Sequence, residues 1–128
     1  MKEKKSKLDN NELQFFYDFL FQYENDKSHK GYNSRYLSKE LRSVLVNNQK
    51  SIKKSKETNR VLYTGKTVIA DFLRHLRNSF AHCYIQSNNS KSLFVLYDKD
   101  RSGKCSMYGV VNKAVFYNLI REINKTRK

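Results

Sequence analysis

Apolar residues recur at helical spacing over four stretches of this chain and at strand spacing over two. In the first stretch Leu13, Phe16, Leu20 and Tyr23 form a stripe that Phe15, Phe19 and Phe21 widen, with Asn10 as the cap and an end near Gly31. A second helix is expected from Ser34 or Ser38, with Leu37, Leu41, Val44 and Leu45 on one face. From Asn47 to Arg60 the pattern stops, and Lys50, Lys53, Lys54, Lys56 and Arg60 dominate. That segment reads as a frayed helix end or a mobile basic loop. The best-defined helix runs from about Thr67 to Tyr84. At 100° per residue it puts Val68, Ile69, Phe72, Leu73, Leu76, Phe80 and Cys83 on one side, and Asp71, Arg74, His75, Asn78 and His82 on the other. Asn88-Asn89-Ser90 then breaks it. Leu93–Tyr97 and Cys105–Val111 read as two strands joined by an Asp98–Gly103 turn, and a last helix begins near Asn112 with Val115, Phe116, Leu119, Ile120 and Ile123 facing inward. No proline interrupts any of these helices.

Composition adds a sign to this pattern. A length of 128 residues fits one domain over 1–128, and 38% hydrophobic with 13% aromatic residues fits a folded one. The 26 Lys and Arg against 12 Asp and Glu leave a net charge of +14, which favours polyanions, with nucleic acid ahead of an anionic membrane surface. An AT-rich genome also enriches Lys, Asn and Tyr, so the charge has a compositional reading beside the functional one. Nothing reaches the ~18 apolar residues of a membrane span. The basic start from Met1 to Lys7 leads into an amphipathic helix, unlike a secretory signal. Cys83 and Cys105 read as free thiols in a reducing cytoplasm.

Two local motifs lead nowhere. Gly65-Lys66-Thr67 has the ending of a phosphate-binding loop, but Arg60 stands where its first glycine belongs, so it reads as a loop and helix cap. Asp98-Lys99-Asp100-Arg101-Ser102-Gly103 imitates the start of a calcium-binding loop, yet Gly109 takes the place of the bidentate glutamate. A hairpin turn accounts for it. The lysine runs contain few aromatics and do not look like a base-stacking platform; non-specific attraction of phosphate by Lys53 and Lys54 is their expected use.

The third helix carries the chemistry. A surface face normally holds Lys and Glu, but Val68 to Tyr84 has neither and shows two Arg, two His and an Asn. Arg suits phosphate oxygens, and His moves protons at neutral pH. Asn78 and His82 are neighbours on one face. Arg77 and His82 are about 7.5 Å apart along the axis and about 140° around it, a pair that flanks a groove more readily than it touches.

The words Leu76-Arg77-Asn78-Ser79-Phe80-Ala81-His82 resemble the mark of the HEPN family, an Arg, a polar neighbour and a His four to six residues on. The late hairpin and terminal helix agree with plasmid- and phage-defence-associated bacterial members. The resemblance implies a mainly α fold, an antiparallel helical bundle with a β-hairpin inserted before the C-terminal helix. It implies a homodimer whose facing helices form one cleft, and a metal-independent endoribonuclease of toxin or antiviral type that needs no cofactor. RNA would be cut by 2′-OH attack, leaving a 2′,3′-cyclic phosphate. In that scheme Arg77 steadies the transition-state charge, His82 is general base or general acid, and Asn78 orients the phosphate or His82. Arg74 and His75 would help bind RNA. An antitoxin or nucleotidyltransferase-like protein is the further partner it brings in, with no membrane. Other members only bind RNA, nucleotides or a protein, so a non-catalytic RNA-binding module and a module for an acidic partner stand as alternatives.

Overall fold

The computed structural model describes residues 7–25, 33–48, 50, 52–54 and 57–126. Helix α1 (Asn10–Asn25) is followed by a 3₁₀ turn (Ser34–Tyr36), α2 (Lys39–Val44), β1 (Leu45–Val46) and β2 (Arg60–Tyr63). Then come α3 (Val68–Ala81), β3 (Gln86–Asn88), β4 (Leu93–Lys99), β5 (Cys105–Asn112) and α4 (Lys113–Thr126). The strands form one sheet in the order β1-β2-β5-β4-β3, with β1 and β2 parallel and the other pairs antiparallel. The expected mainly α bundle is therefore corrected to a mixed α/β architecture, four helices against a five-stranded mixed sheet. The expected hairpin exists as β4 and β5, but it is the middle of that sheet and not an insertion among helices. β1, β2 and β3 are only two to four residues long, too short to display a two-residue period.

One face of the sheet is the floor of the core. Its row Leu45, Val61, Gly109 and Leu96 is in register across four strands. Phe16 of α1, Phe72, Leu73 and Leu76 of α3, and Phe116, Leu119 and Ile123 of α4 pack with it. Gly109 belongs to this row because an added Cβ would lie 2.7 Å from Val61 Cγ2 and 2.8 Å from the Arg60 carbonyl oxygen. The opposite, outer face keeps Leu62, Tyr97, Tyr108 and Val110 half-exposed.

The helices start where the side chains dictate. Asp9 and Glu12 exchange hydrogen bonds of 2.8 and 3.0 Å at the head of α1, a reciprocal box that moves the cap one residue before Asn10. Ser38 caps α2, and Asn112 accepts from the amides of Ala114 and Val115 at the head of α4. On α1 the stripe is narrower than expected: Phe16, Phe19 and Leu20 are buried, whereas Leu13 and Phe21 are 43% and 56% exposed. No helix among the described residues is long and apolar enough to cross a membrane. The expected end near Gly31, the side chain of Tyr23, the basic residues before Lys7, Lys56 and the last two residues lie outside the described residues.

Candidate functional site

Helix α3 is fixed at both ends by side-chain and backbone chemistry. At its head Asp71 Oδ2 accepts from the amides of Lys66 (2.9 Å) and Thr67 (2.8 Å) and from the Thr67 hydroxyl (2.8 Å), while Thr67 Oγ1 accepts from the Asp71 amide. Burial pushes the Asp71 carboxyl up, but these bonds, with Arg74 beside it, outweigh burial and hold it below its ordinary value. Gly65, at φ +145°, leaves room for that carboxylate; a Cβ there would lie 2.4 Å from Asp71 Cγ.

At its tail the helix stops three residues before the expected Tyr84. The Tyr84 amide donates to the Ser79 carbonyl (2.8 Å) and the Cys83 amide to that of Phe80 (3.1 Å), with Cys83 at φ +60°. This is a Schellman turn with cysteine where glycine is usual. It makes His82 the C-terminal cap and folds Tyr84 back beside it, the two rings stacked at 5.5 Å and 27°.

An open cleft of about 580 Å³ lies between this end of α3 and the β4–β5 hairpin. From α3 and its cap, Arg74, Asn78 and His82 line it; from the hairpin, Lys99 and Arg101 do so. Arg74 is held by Asp71 through its Nε and Nη2 at 3.3 and 3.2 Å. Tyr84 forms part of the wall, with the Lys99 ammonium 5.6 Å from its ring centre.

His75 and Asp98 form the inner end of the cleft, and here the sequence reading needs correction. His75 was expected on the solvent side of α3 as an RNA contact, yet it is 2% exposed. Its Nε2 lies 2.7 Å from the Thr64 carbonyl oxygen and 3.3 Å from Arg74 Nη2. Its Nδ1 faces Asp98 Oδ2 at 2.9 Å, a buried hydrogen-bonded pair. Asp98, expected in the turn, is thus a buried strand residue; Asp100 builds the turn by accepting from Ser102 and Lys104. Asp98 Oδ1 and the Ser106 hydroxyl are buried without a hydrogen-bond partner.

Of the residues expected at the site, Arg74, His75, Asn78 and His82 therefore meet in one cleft. Arg77 is exposed on the neighbouring strip of α3, outside the cleft lining, and donates from Nη2 to Asn78 Oδ1 at 3.1 Å. Lys53 is exposed, and Lys54 sits on the sheet's outer face, 5.4 and 5.9 Å from the ring centres of Tyr97 and Tyr108. Lys99, Arg101, Tyr84 and Asp98 were missed. Their one signal was a charged hairpin turn close in sequence to the motif helix, and only the sheet order brings the two together.

No curated protein and no solved structure matches the chain. A protein-family model does, the one described as HEPN pEK499 p136, over residues 2–127. With nearly the whole chain matched, the protein belongs to the HEPN family of that description.

Proposed function

We propose that this HEPN domain is a metal-independent endoribonuclease, of toxin or antiviral type, whose complete site is shared between two copies of the chain. The observation that carries the reading is the convergence of Arg74, Asn78 and His82 with Lys99 and Arg101 on one open cleft. Arg74, Lys99 and Arg101 outweigh the Asp100 carboxylate on the same lining and draw a phosphodiester in, and an exposed imidazole stands at the rim to move protons. In the reaction the ribose 2′-oxygen attacks its neighbouring phosphorus and the bond to the 5′-oxygen breaks. One proton leaves the 2′-hydroxyl and one reaches the departing 5′-oxygen, leaving a 2′,3′-cyclic phosphate and a 5′-hydroxyl. His82 takes one of these transfers and its counterpart in the second copy takes the other. Arg77 offsets the charge gathering on the phosphoryl oxygens, with Asn78 holding its guanidinium in place.

Two features support the shared site. Arg77 and His82 flank different sides of the exposed strip of α3 within one chain. On the Arg77 side, Leu13 and Tyr17 of α1 line a shallow groove with Phe80, and Leu13, Tyr17 and Phe21 are 43%, 58% and 56% exposed. A second copy laid along α1 and α3 would cover that apolar surface.

The outward position of Arg77 also favours a second reading, a non-catalytic RNA- or partner-binding module, with an antitoxin or another acidic protein as the partner. Incubation of a labelled structured RNA in EDTA with wild type and His82→Ala separates the two. The nuclease reading expects cleavage by the wild type alone, ending in cyclic phosphate. Equal binding by both proteins without cleavage would replace it with the binding module.

A further inference from the structure

We infer that the outer face of the sheet is a stacking track for single-stranded RNA, running from Tyr108 through Tyr97 and Tyr84 to the His82 cleft. The inference rests on the RNA-directed reading above but names a surface and a strand state which that reading does not. Tyr97 and Tyr108 are direct partners in the antiparallel β4–β5 register, so both rings stand on the same face. Tyr84 meets Tyr97 at 5.4 Å and stacks on His82 at 5.5 Å, which makes the aromatic row continuous with the cleft. All three tyrosines are half-exposed.

The row is also cationic. Lys54 lies over Tyr97 and Tyr108, and Lys99 over Tyr84, with ammonium-to-ring distances of 5.4, 5.9 and 5.6 Å. Lys54, from a basic segment poor in aromatics along the sequence, therefore meets them through the fold. An exposed ammonium on a ring face is held less strongly than a stacked base. A base arriving on Tyr97 or Tyr108 would displace Lys54, and the freed ammonium would turn to the adjoining phosphate. Alternating π faces and cations along a groove bind single strands without demanding a sequence. A duplex hides its base faces and gains only the cations.

The test compares binding of a fluorescent single-stranded RNA of about 12 nucleotides with binding of the same sequence as a duplex. Tyr108→Leu is expected to weaken the single strand about 5- to 150-fold, the worth of one stacked base at about 1–3 kcal/mol. Tyr108→Phe, which keeps the ring, should bind as wild type does, and duplex binding should not change. The chain has nine Tyr and no Trp, so tyrosine emission of the unaltered protein gives a second readout. Single strand should quench it and duplex should not. Single-strand affinity of Tyr108→Leu within about twofold of wild type, or emission indifferent to the single strand, would overturn the track. Cleavage by wild type with a neutral Tyr108→Leu removes the track and leaves the nuclease. Track binding without cleavage does the reverse.

Discussion

Replacing His75 with leucine tests whether the fold depends on a buried hydrogen-bonded pair. His75 and Asp98 are both 2% exposed, with Nδ1 and Oδ2 2.9 Å apart. Asp98 Oδ1 has no partner even in the intact protein. His75→Leu therefore leaves a buried carboxylate with nothing to meet Oδ2, and removes the ring nitrogen that faces the Thr64 carbonyl at 2.7 Å. Breaking a buried pair from one side costs about 3–5 kcal/mol, out of a total of about 5–15 kcal/mol for a domain. At roughly 4 °C per kcal/mol for a chain of this size, the melting temperature should fall by about 12–20 °C. Urea unfolding followed by far-ultraviolet circular dichroism measures the loss directly. The double variant His75→Leu with Asp98→Leu removes the stranded charge along with its partner. It should be more stable than His75→Leu alone, although it carries one more substitution. A loss under about 1 kcal/mol for His75→Leu, or costs in the double variant that simply add, would refute the reasoning.

The remaining two predictions concern the ends of α3. Cys83 holds φ +60° without the freedom of glycine, so Cys83→Gly should match or exceed wild-type stability by up to about 1 kcal/mol, while the β-branched Cys83→Val should lose about 1–3 kcal/mol in the same unfolding assay. At the other end the folded state lowers the carboxyl of Asp71, so its contribution is present at neutral pH and is lost as pH falls from the ordinary value of 3.8 through the lower folded value. Stability measured against pH should show that acid limb in wild type and a shallower one in Asp71→Ala, where the likewise lowered Asp100 remains; the variant should also lose about 0.5–2 kcal/mol at neutral pH.

How much of this was legible along the chain depended on the range of each interaction. The period of α3 and its Thr67 cap could be read, because both are written within a turn or two of helix. The β4 and β5 hairpin was legible for the same reason. β2 was not: four residues next to a lysine-rich stretch show no pattern until β5 pairs with them. His75 was placed on the wrong side because a helical wheel fixes an angle but not what stands there. Its neighbour proved to be Asp98, 23 residues away. The same holds for Lys54, whose aromatic partners belong to strands far along the chain. Cys83 hid the helix end, since a left-handed turn is expected at glycine.

The two outer strands of the sheet are its shortest, two residues in β1 and three in β3. At the end of β3, the side chain of Asn88 accepts from the Lys91 amide and the Ser90 hydroxyl, turning the chain back into β4. Very short outer strands present few unpaired N–H and C=O groups of their own, one of the ways a sheet discourages edge-to-edge pairing. An assembly built on helix surfaces such as α1 would instead join side chain to side chain, and single substitutions there would undo it while leaving the sheet intact.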